Sequence, residues 1–236
     1  MEQLPLPTSL AEVEAVSDPL ARTRKKEGKK NKEKKQKLML RWQLIRALYQ
    51  PNPPETIAKI QEVLHRLQRS PEGWQLAQSL IAHREDNIRF YAALTLIIKL
   101  NRDRYVCVSE QREAEQHLTV DSAGLSEDDA KGLLENLIGW TLQSLADGAG
   151  NFVIKKLCTA LVTYFMHFSH LWPNCIRHFI YCLDLGRGAP ADSLDDALSS
   201  EILVGKLDRL KLRVAIWFAT TFVEEVGKTD MSAPKL

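Results

Sequence analysis

The stretch that decides the fold is IRFYAALTLIIKL, residues 88–100, which places apolar side chains on nearly every face when it is drawn as a helix. Such a helix has no solvent face of its own and needs neighbouring elements to cover it. On its N-terminal side, WQLAQSLIAH (74–83) has the spacing of a short amphipathic helix. Further along, FVIKKLCTALVTYFMHF (152–168) is again strongly apolar. The pattern predicts helices that are packed between other helices.

Helical spacing continues from Leu38 to about Val226, and no run alternates apolar and polar residues as a strand would. The helical segments fall into four pairs: 38–50 with 53–69, 71–83 with 86–100, 127–146 with 151–168, and 172–185 with 195–226. Repeated pairs that each need a neighbour predict an all-α fold, an α-solenoid of about four HEAT/ARM-like helix pairs. A compact helical bundle is the alternative.

The segments outside these pairs have their own composition. Residues 1–37 contain three prolines and a lysine run, and they are predicted to be a disordered, Lys-rich leader before the array at 38–228. Residues 101–125 show no sustained periodicity and are predicted to be a loop or insertion. Within it, 104–120 is expected to be an inserted loop or translated non-coding sequence. Residues 229–236 are expected to form a tail.

Charge is unevenly distributed along the chain. Residues 22–37 hold ten Lys/Arg and two Glu, a net +8, so the remaining 22 basic and 28 acidic residues give −6. A like-charge run is typical of a solvated arm, and it also fits a nuclear localisation signal or a polyanion contact. The candidate localisation residues are Lys25, Lys26, Lys29, Lys30, Lys34 and Lys35.

Motifs for catalysis and cofactor binding are missing from the sequence. No nucleotide-binding glycine motif, zinc-protease motif or nucleophile elbow occurs, so we expect no enzyme activity and no cofactor. The turn Asp147–Asn151 precedes a helix but follows no strand, which favours an ordinary helix–helix turn over a phosphate loop. The irregular spacing of His167, His170, Cys175 and His178 favours ordinary packing over a zinc site. No stretch is long and apolar enough to predict a membrane span.

The five tryptophans fall on or beside predicted helices, where core or inter-repeat packing is expected rather than base stacking: Trp42, Trp74, Trp140, Trp172 and Trp217.

The segment from Leu48 to Leu100 resembles the N-terminal region of importin-β-type nuclear transport receptors, and most closely the importin-13/transportin-3 subgroup. The motifs that carry the resemblance are the Asn52-Pro53 turn, Ser70-Pro71 with Trp74, and the run from Phe90 to Ala93 that leads to Lys99-Leu100. The segment 125–140, the apolar helix after Gly150 and Trp172-Pro173 extend the resemblance over about residues 38–228.

The resemblance implies a HEAT-repeat superhelix that binds the GTP form of Ran near its N-terminus, carries protein cargo, contacts nuclear pore proteins and shuttles between nucleus and cytoplasm. Family members are several times longer, so the chain is expected to represent their N-terminal repeats. In the family the inner helices face Ran, and they correspond here to 53–69, 86–100 and 151–168. The exposed polar residues expected to contact Ran are Glu62, Arg66, Arg89, Lys99, Lys155 and Lys156.

Two alternatives to a transport receptor remain open at the level of sequence. One is a generic helical-repeat scaffold for protein interactions, which the paired helices fit equally well. The other is nucleic-acid binding through the lysine-rich arm, which is less favoured because the rest of the chain is acidic. The sequence does not determine the cargo or the direction of transport.

Overall fold

The computed structural model describes residues 25–113, 126–194 and 199–231, and all regular structure within these ranges is helical. The all-α prediction is confirmed for this part of the chain. The helices are α1 (Lys25–Leu48), α2 (Pro54–Arg69), α3 (Gly73–Ile81), α4 (Asp86–Glu113), α5 (Glu127–Ala146), α6 (Asn151–Phe168), α7 (Cys175–Leu185), α8 (Ser200–Gly205) and α9 (Arg209–Met231). Two short 3₁₀ turns, Ser169–Leu171 and Ala191–Ser193, flank α7.

The chain divides into two compact units, Met1–Leu40 and Arg41–Leu236. In the first unit, the described backbone is the N-terminal part of α1, so residues 25–37 are helical where the sequence predicts a disordered leader. The physical reason is composition. Residues 25–37 consist mostly of Lys, Glu and Gln, which are good helix formers, and they contain no proline. Residues 1–24 of the predicted leader lie outside the described residues.

Local sequence signals place the ends of several helices. Pro54 occupies the first turn of α2, where a missing backbone N–H costs nothing. Ser126 precedes α5, and its hydroxyl accepts a hydrogen bond from the backbone N–H of Asp129 at 3.1 Å. The acidic first turn of α5 also suits the positive end of the helix dipole. At the end of α7, Gly186 adopts a left-handed conformation with φ of 70°, which closes the helix.

The second unit is held together by contacts between paired helices and between neighbouring pairs. Within pairs, α3 packs against α4, α5 against α6, and α7 against α9, which are three of the pairings that the sequence predicts. Between pairs, α4 contacts both α2 and α6, and α6 contacts α9. The core between these helices contains large, fully buried side chains such as Leu96, Leu161, Phe179 and Phe218. The apolar surface of segment 88–100 is therefore covered by α2, α3 and α6.

In the second unit, two helix ends differ from the sequence-based prediction. Helix α4 continues through residues 101–113, where a loop is predicted, because this segment has neither glycine nor proline and is rich in Arg, Glu and Gln. Residues 114–125 lie outside the described residues, so the predicted insertion 104–120 is only partly described. Helix α9 extends to Met231, into the predicted tail. The final helical region is broken after Gly205, between α8 and α9.

Candidate protein-interaction surface

A row of aromatic and cationic side chains crosses three helices that contact one another in succession, α4, α6 and α9. At the α4–α6 contact, the ring centroids of Phe90 and Phe152 lie 5.7 Å apart. The ammonium of Lys156 lies 5.4 Å from the centroid of the Phe90 ring. At the α6–α9 contact, the ammonium of Lys155 lies 5.1 Å from the ring centroid of Trp217. Two adjacent lysines of α6 therefore reach aromatic rings on its two neighbouring helices.

A third cation lies at the same tryptophan. The guanidinium carbon of Arg213 is 6.0 Å from the Trp217 ring centroid, so the indole lies beside two positive groups. We call this set the cation–aromatic strip and define it by its six residues: Phe90, Phe152, Lys155, Lys156, Arg213 and Trp217. Phe152 keeps 46% of its surface exposed, and Lys155 and Arg213 are also exposed. The six residues combine aromatic area with three positive charges, which suits an acidic protein surface. At its Phe152 end the strip borders a groove that also holds the carboxylates of Glu85, Asp86 and Asp147, so its positive end lies at Lys155, Arg213 and Trp217.

The six residues that the resemblance selects do not form one cluster. Lys155 and Lys156 belong to the strip. Glu62 and Arg66 lie on α2, where they are exposed and form an ion pair with each other at 2.9 Å. An exposed pair of this kind stabilises a helix by only about 0.3–0.5 kcal/mol, so both side chains remain available to a partner.

Arg89 and Lys99 are buried, which corrects the prediction that they are exposed. Arg89 is 4% exposed, and its guanidinium donates to the carboxylate of Asp147 at 2.7 Å and to the backbone carbonyl of His83. Lys99 is also 4% exposed, and its ammonium is 3.3 Å from the carbonyl oxygen of Ser70. Both long aliphatic stems are buried while each charged end has a polar partner. Little of either side chain is therefore accessible at the surface.

The turn between α5 and α6, weighed above as a possible phosphate loop, is lined by carboxylates. The Asp86 carboxylate accepts the backbone N–H of Gly150 at 2.9 Å, and Asp147 pairs with Arg89. Two negative side chains at the start of α6 disfavour an anionic ligand there. The turn instead connects the beginning of α4 to the beginning of α6.

The candidate zinc residues are also separated by the fold. The ring nitrogen Nε2 of His167 lies 3.1 Å from the side-chain oxygen of Asn101, whereas His178 is buried and accepts the indole N–H of Trp172 at 3.0 Å. Among the residues that the structure describes, no three His, Cys, Asp or Glu side chains form a group that could hold a metal ion.

The packing expected for the tryptophans holds most clearly for Trp172, which is fully buried, while the other four are half-buried. The sequence analysis did not select Phe152, Arg213 or the partly exposed Trp217 as contact residues for a partner. A usable signal was present in the sequence. The second helix of the third pair carries Lys155 and Lys156 near its start, and the last helix carries Arg213 and Trp217 four residues apart.

The candidate localisation residues, Lys25 to Lys35, lie on the N-terminal part of α1, and the structure describes their backbone only. In the described ranges, no helix is long and apolar enough to cross a membrane. Comparison with protein-family models and with curated proteins finds no match.

Proposed function

We propose that this chain is a helical-repeat protein of the importin-β class that binds Ran-GTP through the cation–aromatic strip. The pairing of α3 with α4, α5 with α6 and α7 with α9 supports a HEAT-like array. The order of contacts from α2 to α4, α6 and α9 supports a row of second helices that forms one wall of a solenoid.

The observation that carries the protein-binding part of the proposal is the strip itself. It uses one helix from each of three successive pairs, so a partner lying along it would contact several repeats at once. Aromatic residues and arginine are enriched at protein interfaces, where rigid side chains bury area at a small cost in entropy. The positive charges of Lys155, Lys156 and Arg213 would favour association with an acidic surface.

The identity of the partner comes from the resemblance of residues 38–228 to the N-terminal repeats of nuclear transport receptors. In this proposal, the wider protein carries cargo, contacts nuclear pore proteins and shuttles between nucleus and cytoplasm. Ran-GTP and cargo would then change each other's affinity by the same factor, as reciprocal linkage requires. The lysine-rich segment 22–37 would act as a localisation signal for the same protein.

The decisive experiment is biolayer interferometry of the full chain against Ran loaded with a non-hydrolysable GTP analogue or with GDP. We expect the GTP form to bind more tightly and the double variant Lys155→Glu/Lys156→Glu to lose about tenfold or more in affinity, since both charges are reversed at the interface. The matched control is Lys131→Glu/Lys206→Glu, which makes the same charge change at exposed lysines on α5 and after α8, away from the helices expected to face Ran.

Equal binding of both nucleotide forms, or equal loss in the two double variants, would contradict the Ran assignment. A generic scaffold would give no Ran binding to the unmodified chain.

A further inference from the structure

A second charged surface lies at the C-terminal end of α2, where side chains from α2 and α4 surround an open groove of about 500 Å³. We call it the basic groove and define it by its lining: Glu62, His65, Arg66, Arg69, Ser70, Pro71 and Arg102. Three arginines face a single carboxylate in this set. The groove shares no residue with the cation–aromatic strip, so the inference below does not rest on the proposed transport role.

The helix dipole explains only part of this charge. Basic residues are favourable in the last turn of a helix, which accounts for Arg66 and Arg69 at the end of α2. Arg102 comes from α4, and one of its guanidinium nitrogens donates to the backbone carbonyl of Arg69. An arginine is thus brought from another helix to the site where two others already lie.

The backbone carbonyls of Leu67 and Arg69 in the last turn of α2, and of Ser70 just after it, have donors from within the protein. The carbonyl of Leu67 accepts the Ser70 hydroxyl at 2.8 Å. The carbonyl of Ser70 accepts the backbone N–H of Gly73 at 3.0 Å and the Lys99 ammonium at 3.3 Å. Part of the negative end of the α2 dipole is therefore compensated by internal donors, one of which is Arg102.

The guanidinium groups of Arg66, Arg69 and Arg102 retain N–H donors for an anionic ligand. A guanidinium carries five N–H donors in a planar arrangement that matches a carboxylate or phosphate. The contacts described use one nitrogen of Arg66, with Glu62, and one of Arg102, with the Arg69 carbonyl.

We propose that the basic groove binds an acidic peptide segment, in which successive carboxylate or phosphoserine groups pair with Arg66, Arg69 and Arg102. The volume of the groove is in the range of sites for small ligands and short peptide segments. Its lining includes no Phe, Tyr or Trp, so it lacks the stacking surface that single-stranded nucleic acids use. The charge and the absence of stacking rings together favour a peptide over RNA.

The experiment measures fluorescence anisotropy of labelled peptides with the full chain at about physiological salt, where weak surface attractions are screened. Because residues 25–35 would also attract anions, all measurements use a background in which Lys25, Lys26, Lys29, Lys30, Lys34 and Lys35 are changed to Gln. The probes are an octaglutamate peptide, a phosphoserine peptide of equal charge, a glutamine peptide and oligo-uridine RNA. We expect both acidic peptides to bind and the glutamine peptide not to bind.

The triple variant Arg66→Gln/Arg69→Gln/Arg102→Gln is expected to weaken acidic-peptide binding about tenfold or more, the product of three modest ion pairs. The matched control Arg187→Gln/Lys206→Gln/Arg209→Gln removes the same charge elsewhere and is expected to leave binding unchanged. Arg66→Glu alone, in an exposed pair that does not support the fold, should weaken binding if the triple variant is unstable.

Equal loss in the two triple variants, no binding of either acidic peptide, or tighter binding of RNA than of peptide would overturn the proposal. A preference between the glutamate and phosphoserine peptides would identify the source of the anion.

Discussion

The guanidinium of Arg89 and the carboxylate of Asp147, 58 residues apart in sequence, form a 2.7 Å ion pair between the start of α4 and the end of α5. The Arg89 side chain is 5% exposed, whereas that of Asp147 is 36% exposed. Together with the bond from Asp86 to Gly150, this pair fixes the second helix pair against the third. Contacts between helix pairs of this kind contribute to the stability of the whole helical unit.

We therefore expect Asp147→Asn to lower the free energy of unfolding by about 1–3 kcal/mol, because the buried Arg89 charge loses its counter-charge. Urea denaturation followed by circular dichroism measures the change. The control is Glu62→Gln, which removes the exposed partner of Arg66 and should change stability by no more than about 0.5 kcal/mol. Equal effects of the two substitutions would show that the Arg89–Asp147 pair has no special structural role.

Two glycines in helices should respond oppositely to alanine. A Cβ atom at Gly73 would lie 2.7 Å from the backbone oxygen of Gln68, whereas one at Gly132 would meet nothing within 4 Å. We expect Gly73→Ala to destabilise by about 1–3 kcal/mol through the clash. Gly132→Ala should stabilise by about 0.5–1 kcal/mol, because alanine has less backbone freedom to lose in a helix. Thermal and urea unfolding of both variants test this, and a stabilising Gly73→Ala would contradict the close approach.

Local sequence signals predicted much of the fold. The Ser126 cap and the acidic residues after it placed the start of α5, and the apolar surface of 88–100 required the neighbours that α2, α3 and α6 provide. The all-α class and three helix pairings follow from the same periodicity. Helix α4 was predicted too short because the loss of apolar spacing after Leu100 was read as a loop, although residues 101–113 contain no helix-breaking residue.

The surface was predicted less well because its chemistry depends on distant residues. Lys99 looks like a solvent-exposed lysine in sequence, but its carbonyl partner on Ser70 lies 29 residues away. Arg89 likewise looks exposed in sequence, but its partner Asp147 lies 58 residues away. Lys155 and Trp217 are 62 positions apart in the chain, and only the contact between α6 and α9 brings them together. The burial of these charged side chains and their pairings both depend on the packed structure, which local periodicity does not report.

The three cysteines whose side chains the structure describes, Cys158, Cys175 and Cys182, should be unreactive in the folded protein. Burial raises the pKa of the Cys158 thiol to about 12 and the pKa of the Cys175 and Cys182 thiols to about 11. Since the thiolate is the nucleophile, the thiolate fractions alone predict alkylation at pH 8 roughly 1000-fold slower at Cys158 and roughly 100-fold slower at the other two than in denaturant. Iodoacetamide labelling followed by peptide mass spectrometry measures each rate. A Thr220→Cys variant supplies an exposed thiol as the positive control, and labelling of Cys158 at a similar rate would show that the core opens readily.

Protonation of His178 should destabilise the fold as the pH falls. The ring is buried between Trp172, whose indole N–H donates to Nδ1 at 3.0 Å, and the carbonyl of Pro190, which lies 3.1 Å from Nε2. Nδ1 is therefore an acceptor, and Nε2 carries the proton of the neutral ring. Burial lowers the pKa of His178 below its usual 6.5, against smaller opposing effects of the Pro190 and Ala189 backbone and of Asp192.

The sign follows from proton binding in the two states. As the pH falls through about 6.5, the unfolded chain binds a proton at His178 and the folded chain does not, so the free energy of unfolding decreases by up to about 1.4 kcal/mol per pH unit. The pKa of His83 is also lowered, chiefly by burial, so this residue adds to the slope. Urea denaturation between pH 7.5 and 5.5 measures it. His178→Gln should flatten the slope even if it lowers stability at every pH. An unaltered slope in His178→Gln would mean that the His178 ring is not held neutral by its buried contacts.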